Sequence, residues 1–355
     1  MDLFHLMLFP ILACVVVLLL VPPARRFALR IGYVDKPGGR KDHDNPTPPI
    51  GGLLIVPVFI GVSLLSGANV MVQWPFWVGL FAIMLVGVLD DRYSIAPRWK
   101  FVAQFFAAIL IVCVGGANVE GLGNLLGLGP INLGFMAKPF SVIAAVLLIN
   151  AINLIDGLDG LAGGKSFVAL FWMLVACFVS DAGGAGLSLA ILMGALAGFL
   201  VFNMRNPFRK RANIFLGDAG SMSLGLALAW YGMRLGHAQV LSPIAVAWIL
   251  ALPIMDTCAQ FARRVGQGRH PFDADRNHFH HHFINAGVEV GRATAIITLI
   301  GFILGAIGVG GMLLQVPEPV LGWLWIITIL THMYLSLQPR RFRRIVSAFM
   351  KTSPQ

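Results

Sequence analysis

A chain of 355 residues with 57% hydrophobic and 12% charged side chains is too apolar for a soluble domain, in which about a quarter of residues are charged. Its net charge of +10 does not call for nucleic acid, because the basic residues fall between apolar runs, where membrane orientation accounts for them. The four cysteines, Cys14, Cys113, Cys177 and Cys258, stand singly inside apolar runs and indicate neither a disulfide framework nor a zinc site.

Apolar runs near the 20 or so residues that a bilayer-spanning helix needs recur along the whole chain. The first, LFHLMLFPILACVVVLLLVPP, has no basic residue before it and no small-residue cleavage site, so it reads as a retained span rather than a signal peptide. Eleven spans are predicted, at about 3–22, 50–67, 74–89, 99–117, 139–155, 165–180, 185–204, 218–236, 240–260, 292–315 and 319–337. All Lys and Arg except Lys138 and Arg234 fall on one side, in 23–49, 90–100, 205–217, 261–292 and 338–355 and at Lys165. By the positive-inside rule that side is the cytoplasm. The predicted fold is all-α: one polytopic transmembrane domain over 1–355, N-terminus periplasmic, C-terminus cytoplasmic, with no evident internal repeat. The Gly-rich stretch NVEGLGNLLGLGPINLGFMAK reads as a short periplasmic hairpin or loop. The tail QPRRFRRIVSAFMK reads as a segment that also lies on anionic lipid.

Acids beside membrane spans are costly and usually functional. Here Asp90, Asp91, Asp156, Asp159 and Asp218 all fall at cytoplasmic ends of spans. In GVLDDRYSIAPRWK the adjacent Asp90 and Asp91 are followed by Arg92, Arg98 and Lys100. Paired carboxylates beside cations suit a metal and a phosphorylated ligand, since magnesium takes one or two carboxylates plus substrate phosphate oxygens. In NAINLIDGLDGLAGG, Asn150, Asn153, Asp156 and Asp159 recur every three residues, a spacing that makes them neighbours on a helix surface. Gly157 and Gly160 allow backbone to approach a ligand. NIFLGDAGSMSLG places Asp218 and Ser221 at the start of the eighth span, where a helix N-terminus favours anions. The acids are expected to converge on a metal and phosphate site at the cytoplasmic membrane edge.

The cytoplasmic stretch 261–292 carries RHPFDADRNHFHHHF. On a helix His278, His281 and His282 share a face; in an extended segment His278, His280 and His282 do. Together with Arg269 and Arg276 they suit diphosphate or sugar recognition, while a metal site and a solvated loop stay open as alternatives.

Taken together, the motifs from GGRKDHDNPTPPIGG to the histidine stretch resemble the polyprenyl-phosphate N-acetylhexosamine-1-phosphate transferases over most of the chain. That family moves a sugar 1-phosphate from a UDP-sugar to a membrane polyprenyl phosphate and releases UMP. The resemblance implies Mg2+ as cofactor, with Mn2+ as a substitute. It implies that Asp90 and Asp91 bind the metal or activate the lipid phosphate, and that Lys100 contacts phosphate. It puts Asn153, Asp156 and Asp159 near diphosphate and metal. It makes Asp218 of the F-x-G-D motif a metal ligand and Phe215 a stacking partner for uracil. Asn203 is a looser match to a uridine-contacting residue, because MRNPFRKRANI is a long loop. His278, His280 and His281 match an H-x-H-H motif, to which His282 is an addition.

DRNHFHHHF and RKDHDNPTPPIGG resemble the GlcNAc-type branch. That implies UDP-GlcNAc and undecaprenyl phosphate as substrates, a bacterial inner-membrane location, a cytoplasm-facing site, and the first lipid-linked step of a cell-surface polysaccharide. The runner-up within the family is phospho-N-acetylmuramoyl-pentapeptide transferase. From another class, a cation-coupled transporter also uses intramembrane acids, but near the midplane between repeats. The sequence leaves a homodimer open.

Overall fold

The computed structural model describes residues 3–35, 46–67, 73–180, 183–270 and 278–350. Arg276 and positions 38–45 of the first motif lie outside the described residues. The chain is nearly all helix, as expected: α1 (Leu3–Arg30), α2 (Gly51–Leu65), α3 (Trp74–Tyr93), α4 (Pro97–Ile109), α5 (Ala137–Ile155), α6 (Leu161–Val179), α7 (Gly183–Asn203), α8 (Gly217–His237), α9 (Pro243–Ile249), α10 (Ala251–Gly266), α11 (Phe279–Ile284), α12 (Val290–Leu313), α13 (Glu318–Leu337) and α14 (Pro339–Met350). The predicted periplasmic hairpin is present as two short antiparallel strands, β1 (Gly121–Gly123) and β2 (Ile131–Asn132), with Gly121 opposite Asn132.

Among the described residues eight helices are long and apolar enough to cross a membrane, or nine if α9 and α10 form one bent span. The other two predicted spans correspond to α2, a shorter apolar helix of 15 residues, and to α8, whose glycines, serines and terminal charges make it less apolar. Segment ends also differ from the reading. α1 runs on through Pro22 and Pro23 to Arg30, and α10 carries Arg263 and Arg264 inside the helix, because cations end an apolar run without ending a helix. The span read as 240–260 is broken at Leu250, where α9 and α10 meet at 77°. Lys165, read as a loop cation, is buried in the second turn of α6 against Gly301 of α12.

α8 is buried nearly all round, as expected of a helix in a bundle centre. Its neighbours reach it through glycines. A Cβ on Gly87 of α3 would lie 2.3 Å from Ala219 Cα, and one on Gly52 of α2 would lie 2.3 Å from Gly220 N. Small residues let helix backbones approach closely where lipid gives no hydrophobic drive to association. The N–H groups of Gly51 and Gly52 also bond the carbonyls of Phe215 and Leu216, both at 3.0 Å, which ties the start of α2 to the start of α8. The ends of α3 and α5 and the starts of α4 and α8 therefore meet at one end of the bundle. The rim of the bundle is apolar, with Phe4, Ile11, Leu19, Phe81, Ile143, Leu299 and Ile327 exposed as a lipid-facing surface needs.

Candidate active site

Asp90 and Asp91 close α3, whose C-cap Ser94 adopts a left-handed conformation (φ 50°) and returns its N–H to the Asp90 carbonyl at 2.8 Å. Only Ile95 and Ala96 separate this cap from Pro97 at the start of α4, so Lys100, one turn later, comes back over the acids. Its Nζ lies 2.7 Å from Asp90 Oδ2 and 2.7 Å from Asp218 Oδ2. The other Asp218 oxygen accepts from Asn153 Nδ2 at 2.8 Å, and the same amide donates to Ser221 Oγ at 2.9 Å. Four helices thus supply one polar centre: α3, α4, α5 and α8.

Asp91 faces the other way. Its Oδ1 accepts from Asp218 N at 2.9 Å and its Oδ2 from Ala219 N at 3.3 Å. The anion expected at the α8 N-terminus is a carboxylate of the chain itself. This fits the positive end of the helix dipole and fixes the register of α8 against α3. Gly217 makes the approach possible. Its φ of +75° is a glycine conformation, and a Cβ there would stand 2.6 Å from Asp91 Oδ2.

The second acid motif is not one helix surface. α5 stops at Ile155, and Asp156 to Gly160 form a turn that ends on Gly160 with φ +79°. Asn150 and Asn153 lie on α5, with Asn150 bonded to Gln104 of α4 at 2.7 Å. Burial, followed by the charges of Asp218, Asp91 and Asp159, raises the Asp156 carboxyl well above the ordinary carboxylate range. Asp159 is neutralised differently. Its Oδ2 pairs with Arg205 Nε at 2.6 Å and accepts from Ala212 N at 3.1 Å, which pins the 205–212 loop to the turn. Asn203 is buried and spends its amide on backbone, accepting from Gly160 N at 2.9 Å and donating to Ile214 O at 2.9 Å. Phe215 is half-buried at the mouth of α8, its N–H held by Pro48 O at 2.9 Å.

Of the helical and extended forms that the sequence leaves open, the histidines take the helical one, a short helix against this centre. His278 caps α11, and its Nδ1 lies 2.9 Å from Asp256 Oδ2, while Phe279 N donates to Asp256 Oδ1 at 2.9 Å. His280 packs on the acid motif itself: a Cβ on Gly157 would be 2.3 Å from its Nε2. Neither ring nitrogen of His280 has a hydrogen-bond partner among the described residues. Burial, and then the neighbouring His281, push the His280 imidazole down to about 3, so it is neutral at working pH. His281 is half-buried, its ring 4.2 Å from that of His280. His282 points the opposite way, buried against the ring of Phe342 at 4.6 Å, and burial pushes it down to about 4. Arg269 is exposed just beyond α10.

Residues 73–236 match the pattern of glycosyl transferase family 4. An undecaprenyl-phosphate alpha-N-acetylglucosaminyl 1-phosphate transferase of Yersinia pestis is 32% identical over 339 residues, 92% of this chain and 90% of the relative. A probable undecaprenyl-phosphate N-acetylglucosaminyl 1-phosphate transferase of Bacillus subtilis is 36% identical over 303 residues, 82% and 81% of the two chains. An Escherichia coli K12 relative with the same name as the Yersinia protein is 31% identical over 298 residues, 81% and 78%. The chain belongs to glycosyl transferase family 4.

Within this family 4 fold the structure gathers Asp90, Lys100, Asn153 and Asp218 by direct contact, with Asp91 and Asp156 beside them and His280 on the adjoining turn. Asp159 and Asn203 instead hold the walls. Two participants escaped the reading. Arg205 was counted only as a loop cation. Asp256 stood alone in an apolar run, although Asp256, Gln260, Arg263 and Arg264 at i, i+4, i+7 and i+8 mark one polar face of a helix. The centre's donors are hard oxygens: Lys100 pairs with Asp90 and Asp218, Asp91 adjoins them on the backbone N–H groups of α8, and Asp156 feels the charges of Asp218 and Asp91. Among the described residues no group of three or more His, Cys, Asp or Glu forms a ready-made metal cage. That donor set fits a cation completed by ligand oxygens, as magnesium usually is.

The placement of Lys100 leads to a test. A lysine at a span end usually snorkels to headgroups, whereas this one points inward. Lys100→Gln is expected to lower turnover by about 100-fold, measured as UMP release in detergent; kinetics equal to the parent's would return Lys100 to the lipid surface.

Proposed function

We propose that this chain transfers GlcNAc 1-phosphate from UDP-GlcNAc to undecaprenyl phosphate, giving undecaprenyl-diphospho-GlcNAc and UMP. The observation that carries this reading is the Lys100 ammonium shared between Asp90 and Asp218 at the end of the bundle, with Asn153 on the other Asp218 oxygen. The names of relatives matched over most of their length support it. In the reaction an oxygen of the lipid phosphate attacks the β-phosphorus of the donor. A new P–O bond forms as the bond to the bridging oxygen breaks, and UMP leaves with the electron pair. Direct attack needs no covalent aspartyl step.

Phosphoryl transfer depends mostly on positioning and on neutralising charge. Lys100 is the chain's own cation for the diphosphate. Mg2+, or Mn2+ in its place, would be held by Asp218 with Asp90 and Asp91 and would neutralise charge on the substrate phosphates. Asp156 is a further acid at the same centre, and Asn153 orients the Asp218 carboxylate. Phe215 is the proposed stacking partner for uracil. His280 and His281 offer ring N–H donors to diphosphate oxygens or sugar hydroxyls, and Arg269 adds a cation.

The eight long apolar helices, the bent pair α9 and α10 taken as one span, and α2 and α8 together compose the eleven-span reading of a single transmembrane catalytic unit over 1–355. With eleven spans the termini lie on opposite faces, and the distribution of Lys and Arg supports a cytoplasmic site and C-terminus; a bacterial inner membrane is the location this reaction implies. There the reaction serves as the first lipid-linked step of a cell-surface polysaccharide.

The test is UMP release from UDP-GlcNAc and from UDP-MurNAc-pentapeptide, each with undecaprenyl phosphate and magnesium. The parent is expected to use the first and ignore the second, and His280→Ala to lose about 100-fold in activity. Preference for the pentapeptide donor would move the chain to the other branch of the family. An unimpaired His280→Ala would remove α11 from the site.

A further inference from the structure

The last helix has two faces with different partners. A single residue, Gln338, separates α14 from the end of α13, which places α14 on the face of the bundle that carries α11 and the acids. Its inner face buries Phe342 and Val346. The Phe342 ring lies 4.6 Å from His282, 5.6 Å from Phe279 and 6.4 Å from His332. Its outer face exposes Arg340, Arg341 and Arg344, with Ile345 at 47% and Phe349 at 83% exposure among them. Arg341 is braced by Tyr334, donating to its hydroxyl at 2.8 Å, and Arg343 by its own helix. No hydrogen bond or ion pair engages Arg340 or Arg344 among the described residues, and the sequence has no acid after Glu318 to serve them. Arginines followed by exposed Ile345 and Phe349, on a short helix fixed to the end of a span, complement a surface of phosphates over acyl chains.

α11 is only six residues long and has no stability of its own. Asp256 holds its start and Phe342 its flank. We propose that α14 reads anionic phospholipid: Arg340, Arg341 and Arg344 bind lipid phosphates, and the seated helix keeps Phe342 against α11, so that transfer by the site rises with the anionic lipid content of the membrane. The effect on transfer rests on the reaction proposed above; the lipid contact does not.

The test uses full-length protein in nanodiscs of phosphatidylcholine, with or without phosphatidylglycerol. UMP release and amide hydrogen exchange over 279–284 and 339–350 are both read. For the parent, phosphatidylglycerol should raise turnover by about tenfold and slow exchange in both segments. Arg340→Gln/Arg344→Gln, which leaves the braced Arg341 and Arg343 in place, should lose both responses and keep the parent's rate in phosphatidylcholine. Phe342→Ala should keep the slowed exchange at 339–350 and lose the gain in turnover. An equal rise in parent and double variant, or exchange indifferent to phosphatidylglycerol, would overturn the proposal. Slowed exchange without UMP release from any donor would uphold the lipid surface and reject the reaction.

Discussion

Asp218→Ala is expected to cut UMP release by about 1,000-fold while leaving the protein folded, a loss of about 4 kcal/mol of transition-state stabilisation. The carboxylate joins three helices in one centre: one oxygen receives Lys100 of α4 and the other Asn153 of α5. Its loss removes a proposed ligand of the cation and releases Lys100 to Asp90 alone. The fold does not depend on it, because Asp91 holds the start of α8 through the backbone N–H groups of residues 218 and 219, which alanine retains. Asp218→Asn separates charge from shape. It keeps an acceptor for Asn153 and loses the negative charge, so it should be nearly as inactive as alanine. The measurements are UMP release over a magnesium titration and thermal stability in detergent. Near-normal turnover of either variant at limiting magnesium would remove Asp218 from the metal-binding role.

Apolar runs carry most of the information needed to place the helices, because bilayer-spanning segments must satisfy their backbone internally and so repeat one length. α8 was legible by length alone; its burial at the bundle centre, which relaxes the need for a lipid-compatible surface, explains its weaker apolar character. The break at Leu250 left no mark, since Pro253 lies beyond it and within α10. The acid motifs were legible because each carboxylate sits at a span end, but their contacts were not. Asp90 and Asp218 meet across the bundle through Lys100, and nothing local in either motif encodes that. The three-residue spacing of Asn153, Asp156 and Asp159 suggested one helical surface, yet Gly157 and Gly160 let the chain turn instead, and Asp159 leaves the centre for Arg205. The histidine run was legible as chemistry and not as structure. Its helix exists through Asp256 and Phe342, far away in the sequence.

Asp256 offers the sharpest test of that last point. It is buried in α10, and its two oxygens are engaged with His278 Nδ1 and Phe279 N, both at 2.9 Å, with His332 Nε2 3.9 Å away. One carboxylate therefore fixes both the cap of α11 and the ring of His278, and through α11 the position of His280 against Gly157. Asp256→Ala leaves a buried N–H and a buried ring nitrogen without this partner, each worth about 1–3 kcal/mol. It should lower the melting temperature, speed amide exchange over 279–284 and reduce UMP release by about 100-fold. Asp256→Asn has nearly the same volume and retains an acceptor for the Phe279 N–H, but it lacks the charge that faces His278. It should fall between alanine and the parent in activity, with exchange close to the parent's. That ordering distinguishes positioning of the histidine from simple filling of space. If Asn at 256 matched the parent in turnover, the charge facing His278 would be dispensable and the residue would act only as the hydrogen-bond acceptor that holds the start of α11.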